Sequence, residues 1–177
     1  MKNGSLQKLI FCAMCIALCV VLPMAFHSFP NGGTVFSPMH IPVLLCGLAC
    51  GWPFGLVTGL LGPLLSSLLT SMPPAAILPS MMAECAVYGL LSGVLMQLVH
   101  TGRLYPDLYL SMVTAMLTGR IAAGLLKAFL FAPGQMTLRI WAGTYFVTGL
   151  PGLVIQLAVV PALVAALMKA KLIPNRY

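Results

Sequence analysis

The sequence predicts an all-α integral membrane protein with six transmembrane helices and both termini in the cytoplasm, and three observations carry that prediction. Sixty per cent of the 177 residues are hydrophobic and 6% are charged, whereas a soluble surface needs roughly a quarter charged residues. The mean hydropathy is +1.05. Apolar runs of crossing length recur along the whole chain, separated by short stretches rich in Pro, Gly, Ser and Asn. At about 20 apolar residues per crossing, the length suits five or six helices in one membrane domain, residues 1–177. No room is left for an ATPase or other large catalytic module outside the bilayer.

The first segment, Gln7–Phe26, follows Lys2 and Lys8. It has the outline of a signal peptide but lacks a clear small-residue cleavage site, so it reads as a mature helix. The second, Met39–Gly51, is short and has Pro42 near its start; Gly51-Trp52-Pro53 separates it from the third, Trp52–Thr70. Two helices joined by a very short turn fit that break, as does one kinked helix with a re-entrant piece. Within the third, Gly55, Gly59 and Gly62 recur near helical spacing with Pro63 behind them, which predicts close helix packing. Leu78–Val99 and Asp107–Ala132 are the fourth and fifth segments. The sixth, Ile140–Ala170, exceeds one crossing and contains Pro151 and Pro161, predicting a bend, a tilt or an extramembrane start.

Charge in the connections sets the orientation. With an even number of crossings both termini share a side, and that side collects Lys2, Lys8, Arg103, Lys169, Lys171 and Arg176, which makes it cytoplasmic. The opposite face carries His27–Pro38, Ser71–Ile77 and Pro133–Arg139, where Arg139 is the only basic residue. Their composition is that of mobile covering loops. This arrangement suits a protein that receives a solute from outside.

Glu84, Arg120 and Lys127 lie inside apolar segments. Ionisable groups are costly in hydrocarbon unless they pair or line a polar cavity, so the trio marks a ligand site. Glu84 falls about two turns below the outer end of the fourth helix and Lys127 between one and two turns below that of the fifth, which puts them at one level. Arg120, seven residues before Lys127, lies deeper on nearly the same face, and Tyr88 extends the Glu84 stripe by one turn. The result is a ladder of Glu84 and Tyr88 opposite Lys127 and Arg120. Two cations against one carboxylate favour a site completed by a polar or anionic ligand. A structural ion pair and a cytoplasm-facing Arg120 are the alternatives.

His27 and His40 flank the first outer loop, where capping, ligand contact and hydration are all open, and Asn31 sits in an Asn-Gly-Gly turn signal. Gln156 and Tyr145 are equally suited to a pocket wall and to helix–helix hydrogen bonding. Ala13 and Ala17 form a small-xxx-small face on the first helix, which lets another backbone approach closely in lipid.

Several of these features together resemble a known family. A six-helix chain with a basic N-terminus, Ala13-x-x-x-Ala17, and the run Phe36-Ser37-Pro38-Met39-His40-Ile41-Pro42-Val43-Leu44-Leu45-Cys46-Gly47 leading through Gly51-Trp52-Pro53 to Gly62-Pro63 is similar to the substrate-binding subunit of an energy-coupling-factor (ECF) transporter. The resemblance covers most of the chain and is most specific over residues 36–93, including Met72-Pro73-Pro74, Glu84 and Tyr88-Gly89. It implies a subunit of a bacterial cell membrane that captures a vitamin-like micronutrient in an outward-facing pocket. Such a subunit associates with a membrane coupling subunit and two cytoplasmic ATPase subunits, then topples in the bilayer to release its cargo. Ala13 and Ala17 match the coupling contacts, and the three outer connections match the covering loops. ATP is then used by the partners, and the chain carries no cofactor. Trp52 separates Gly51 from Pro53 where relatives have a Gly-Pro turn, and no single substrate is implied. Pantothenate, pyridoxine-type compounds, riboflavin, cobalamin or its benzimidazole precursor, and queuosine precursors all remain open.

Enzyme classes fit poorly. The sequence has no His-Glu-x-x-His, no Gly-x-Ser-x-Gly and no phosphate-binding loop. Two acidic residues cannot build a carboxylate-rich metal site. Cys12-Ala13-Met14-Cys15 is a C-x-x-C, but low dielectric disfavours a thiolate there, and all six cysteines fall in apolar segments as small packing residues. Nothing points to nucleic acid as a partner. A self-contained secondary transporter or channel is the main alternative, although it needs a two-sided pathway and the polar residues crowd the outer half.

Overall fold

The structure, a computed structural model, describes residues 2–25, 32–131 and 137–173. Those residues are predominantly helical, with no strand among them: α1 (Lys2–Ala25), α2 (Gly32–Phe36), α3 (His40–Cys50), α4 (Trp52–Thr70), α5 (Leu78–Leu98), α6 (Leu104–Leu126), α7 (Leu138–Ala142) and α8 (Leu150–Lys169). Among the described residues, five stretches are long and apolar enough to cross a bilayer, namely Ser5–Ala25, Trp52–Thr70, Leu78–Leu98, Leu104–Phe129 and Leu150–Lys169. The remaining apolar helix, α3, has 11 residues. At 1.5 Å per residue it covers about half of a hydrocarbon core of roughly 30 Å.

The break after α3 is the short turn that the sequence suggested. Gly51 has φ 98°, a conformation that costs a side-chain-bearing residue, and Pro53 sits in the first turn of α4, where its missing N–H costs nothing. The last predicted segment is divided into α7, a π-helical stretch Gly143–Thr148, and α8, with Gly149 at the junction and Pro151 in the first turn that follows. A second π-helical stretch, Lys127–Phe131, extends α6.

The helices alternate in direction, so residues distant in sequence meet at each end of the bundle. At one end Lys8, Cys50, Gly51, Gln97, His100 and Met168 surround a cavity of about 330 Å³. At the other, the start of α3 meets α5, Gln156 of α8 reaches the Ser37 carbonyl just before α3, and Arg120 of α6 meets α5. These are called below the Lys8 end and the His40 end.

The distribution of side chains is inside-out relative to a soluble bundle. Leu9, Met14, Leu68, Leu110, Leu125 and Val154 are exposed, whereas Thr58, Ser66, Ser92, Ser111, Arg120 and Gln156 are buried. Such a surface is matched to lipid, and polar groups inside it must find one another. Glycine makes the interior tight. A Cβ on Gly55 of α4 would strike the Gly89 carbonyl of α5, and one on Gly89 would strike the Gly55 carbonyl. Gly59 meets the Cys85 backbone in the same way. This close approach holds α5, which carries Glu84 and Tyr88, between α4 and α6.

Candidate ligand site

α5 supplies two side chains one helical turn apart. Glu84 and Tyr88 stack on one face, and the Tyr88 hydroxyl donates to Glu84 Oε1 at 3.1 Å. α6 meets this face through Gly119, where any Cβ would overlap the Tyr88 ring. The next residue, Arg120, donates from Nε to the Tyr88 hydroxyl at 3.0 Å. An arginine only donates, so the hydroxyl accepts from Arg120 and passes its own hydrogen to Glu84.

The first turn of α3 adds His40, whose ring centre lies 4.9 Å from that of Tyr88. Its Nδ1 is 3.1 Å from the Ser37 carbonyl and its Nε2 3.6 Å from Glu84 Oε1. Because a carbonyl only accepts, Nδ1 carries a hydrogen. In the neutral ring Nε2 then turns a lone pair towards a carboxylate oxygen. Gln156 of α8 donates from Nε2 to the same Ser37 carbonyl at 3.3 Å, which fixes its Oε1 as a free acceptor.

A continuous polar chain therefore joins four helices: Gln156, the Ser37 carbonyl, His40, Glu84, Tyr88 and Arg120. Tyr88 and Gln156 are 0% exposed, His40 and Arg120 3%, and Glu84 7%, so each polar atom must be satisfied within the protein or by a ligand. Among the described residues, Arg120 Nη1, Gln156 Oε1 and His40 Nε2 have no hydrogen-bond partner. A bound molecule has both donors and acceptors to meet here.

The structure brings Glu84, Tyr88, Arg120, His40 and Gln156 together as a group, but not Lys127. Lys127 is half-buried at the close of α6 and makes no ion pair with Glu84 among the described residues. The reason is register. Arg120 meets Tyr88, so Glu84 rises about 6 Å from that level on α5 while Lys127 rises about 10 Å on α6, and the expected rung is missed by nearly a turn. Asn31 and His27 lie outside the described residues, as do parts of the His27–Pro38 and Pro133–Arg139 connections. Ala13 and Ala17 are exposed on α1, on the face away from Cys12, Cys15 and Cys19, which are buried.

Sequence reasoning missed two aromatic residues. Trp141 donates from Nε1 to the Arg120 carbonyl at 3.2 Å, and Phe146 lies under the Arg120 guanidinium at 5.7 Å. Their rings meet edge-on at 5.2 Å. They are five residues apart across the start of the π-helical stretch, and five is the repeat that π-helix hydrogen bonding favours. An α-helical period places them on different faces, which hid the pair.

The C-x-x-C thiols are free and buried, clustered with Cys46 and Cys50 and packed by Phe11, Ile16, Ala49 and Phe54. Among the described residues no group of three or more His, Cys, Asp or Glu is arranged to hold a metal ion. The cavity at the Lys8 end contains none of the buried charges.

Residues 7–171 match the family described as ECF transporter, substrate-specific component. Searches among curated proteins and solved structures returned no match. Members of the family are transporter subunits rather than an enzyme class, and they work with a membrane coupling subunit and ATPases. With a match running from Gln7 to Lys171 and the apolar helices to place it in a bilayer, the chain belongs to the ECF transporter substrate-specific components and is a multi-pass membrane protein.

Proposed function

We propose that this subunit captures a small vitamin-like micronutrient at the His40 end and delivers it through a complex with a membrane coupling subunit and two cytoplasmic ATPases. The observation that carries this reading is the buried chain from Arg120 through Tyr88 and Glu84 to His40, with polar atoms left for a ligand. Counting α3 as a short crossing makes six, and the basic residues then put both termini in the cytoplasm of a bacterial cell and the His40 end outside. Glu84, Tyr88, Arg120, His40 and Gln156 form the pocket. Lys127 belongs to its approach, and Asn31, outside the described residues, is a further candidate for ligand contact.

Ala13 and Ala17 dock the coupling subunit, because two small side chains on a lipid-exposed face admit a close helix. Toppling against that partner turns the pocket inward, and ATP hydrolysis by the partners drives it. The chain itself needs no cofactor. Reconstitution tests this reading: vesicles should accumulate the ligand only when the coupling subunit, the ATPases and ATP are all present. Accumulation by this chain alone under a proton or sodium gradient would instead make it a secondary transporter.

A further inference from the structure

Four of the crossing stretches end around the cavity at the Lys8 end. Lys8 lies three residues inside Ser5–Ala25, Gly51 immediately precedes Trp52–Thr70, Gln97 is next to the last residue of Leu78–Leu98, and Met168 is next to the last of Leu150–Lys169. A space of about 330 Å³ at that depth lies where the headgroups of a bilayer begin. Its walls are of two kinds. Leu48, Met96, Met168 and Ile173 are apolar, whereas Lys8, Gln97 and His100 are polar, and neither of the chain's two acids, Glu84 and Asp107, is among them. Cys50 at the end of α3 turns its thiol to the Lys8 carbonyl, 3.9 Å away. Nε2 of Gln97 stands where a Cβ on Gly51 would crowd it at 2.7 Å, so α1, α3 and α5 close around the space. Half-buried Lys8 makes no ion pair with a carboxylate among the described residues.

We propose that this cavity holds the headgroup of an anionic phospholipid, with its phosphate against Lys8 and its acyl chains along the lipid-facing surface alongside. Charge selects the class. Lys169 and Lys171 are exposed within the 168–173 stretch whose ends line the cavity, and Arg103 follows His100 by three residues. A phosphodiester is attracted to that cluster, whereas the cation of a choline or ethanolamine headgroup finds no acid in the cavity to meet. The apolar walls select a lipid over free phosphate, because they suit glycerol and the first methylenes and cannot replace the water around a small hydrated anion. Leu98 beside Gln97 and Leu172 beside Ile173 are exposed and offer the acyl chains an apolar surface. The coupling subunit is less suited as the occupant: Lys8 shares the α1 face of the buried Cys12 and Cys15, whereas Ala13 and Ala17 lie on the face turned away from them. Glu84, Tyr88, Arg120, His40 and Gln156 line no part of this cavity, so it is separate from the pocket at the His40 end.

The test uses the purified full chain in dodecyl maltoside, with dioctanoyl phosphatidylglycerol as the probe and dioctanoyl phosphatidylcholine and inorganic phosphate as comparisons. Phosphatidylglycerol is expected to raise the melting temperature by roughly 5–10 °C at saturation, and the other two to leave it unchanged. This comparison needs no variant. Lys8→Gln, which keeps a donor but loses the charge, should abolish the response. Lys169→Gln, which removes an exposed charge outside the cavity, should keep it. Equal stabilisation by phosphatidylcholine, stabilisation by phosphate alone, or no effect of phosphatidylglycerol overturns the assignment. A response that Lys8→Gln retains, or that Lys169→Gln loses, overturns it too, because the lipid is then held by the basic surface rather than by the cavity. In the assembled complex, placed in nanodiscs containing phosphatidylglycerol, a photo-crosslinker in place of Gln97 should label lipid. Labelling of the coupling subunit instead overturns the lipid and makes the cavity a docking site for that partner.

Discussion

Arg120 on α6 reaches Glu84 on α5 through the hydroxyl of Tyr88, which accepts from Arg120 Nε at 3.0 Å and donates to Glu84 Oε1 at 3.1 Å. One oxygen thus couples the two charged side chains of adjacent helices. Tyr88→Phe removes that oxygen while keeping the ring that Gly119 accommodates. Two buried partners lose a hydrogen bond, so stability should fall by about 1–3 kcal/mol and the melting temperature by roughly 3–10 °C. Ligand affinity, measured by calorimetry with the compound identified from the purified protein, should drop at least about tenfold. Unchanged melting and affinity would show that the hydroxyl couples nothing.

Much of this arrangement was legible in the sequence because charge in an apolar run is a strong signal. Residue type and helical spacing alone single out Glu84, Tyr88 and Arg120, and the structure joins them in one hydrogen-bonded chain through the Tyr88 hydroxyl. The break at Gly51 was equally readable, because glycine followed by proline at the start of a helix has few other geometries. Lys127 makes no ion pair with Glu84 among the described residues, because spacing within one helix gives a face and a depth but not the offset between two helices. That offset is set by where Gly119 admits the Tyr88 ring. Trp141 and Phe146 stayed hidden because the π-helical stretch changes the period that sequence reading assumes. The Ser37 carbonyl, which holds both His40 and Gln156, belongs to the backbone and leaves no mark in side-chain pattern.

The second prediction concerns α1. Ala13 and Ala17 are exposed on the face turned away from the buried cysteines, so larger side chains there disturb no internal contact. Ala13→Leu with Ala17→Leu should leave melting temperature and ligand affinity unchanged while abolishing ATP-dependent uptake in vesicles containing the full complex. Normal uptake by a well-expressed double variant removes α1 as the docking face.

Helix packing gives a third. Gly89 and Gly55 meet backbone to backbone, and a Cβ on Gly89 must displace the Gly55 carbonyl, which has no flexible end to move. Gly89→Ala should destabilise the protein by about 1–3 kcal/mol through overpacking, visible as a lower melting temperature. Gly33→Ala, where no described atom lies within 4 Å of the added Cβ, serves as the control and should not lower the melting temperature.

The last prediction separates a binding site from an internal lock. If the His40–Glu84 approach at 3.6 Å exists only to hold α3 against α5, His40→Gln and Glu84→Gln should each lower stability. The double variant should then recover part of the loss, with a coupling of about 0.5–3 kcal/mol, and affinity should stay constant throughout. If the pair lines the pocket, each substitution also removes a polar group that the ligand meets. Affinity should then fall roughly ten- to hundredfold in both single variants and remain low in the double, because restoring the fit between helices does not restore the ligand's partners. Lys127→Met should matter less than either, since Lys127 stands about a turn beyond the chain. Measuring melting temperature and affinity on all four proteins decides the matter. Wild-type affinity in the double variant would exclude His40 and Glu84 from binding and leave Arg120, Gln156 and the covering loops to account for it.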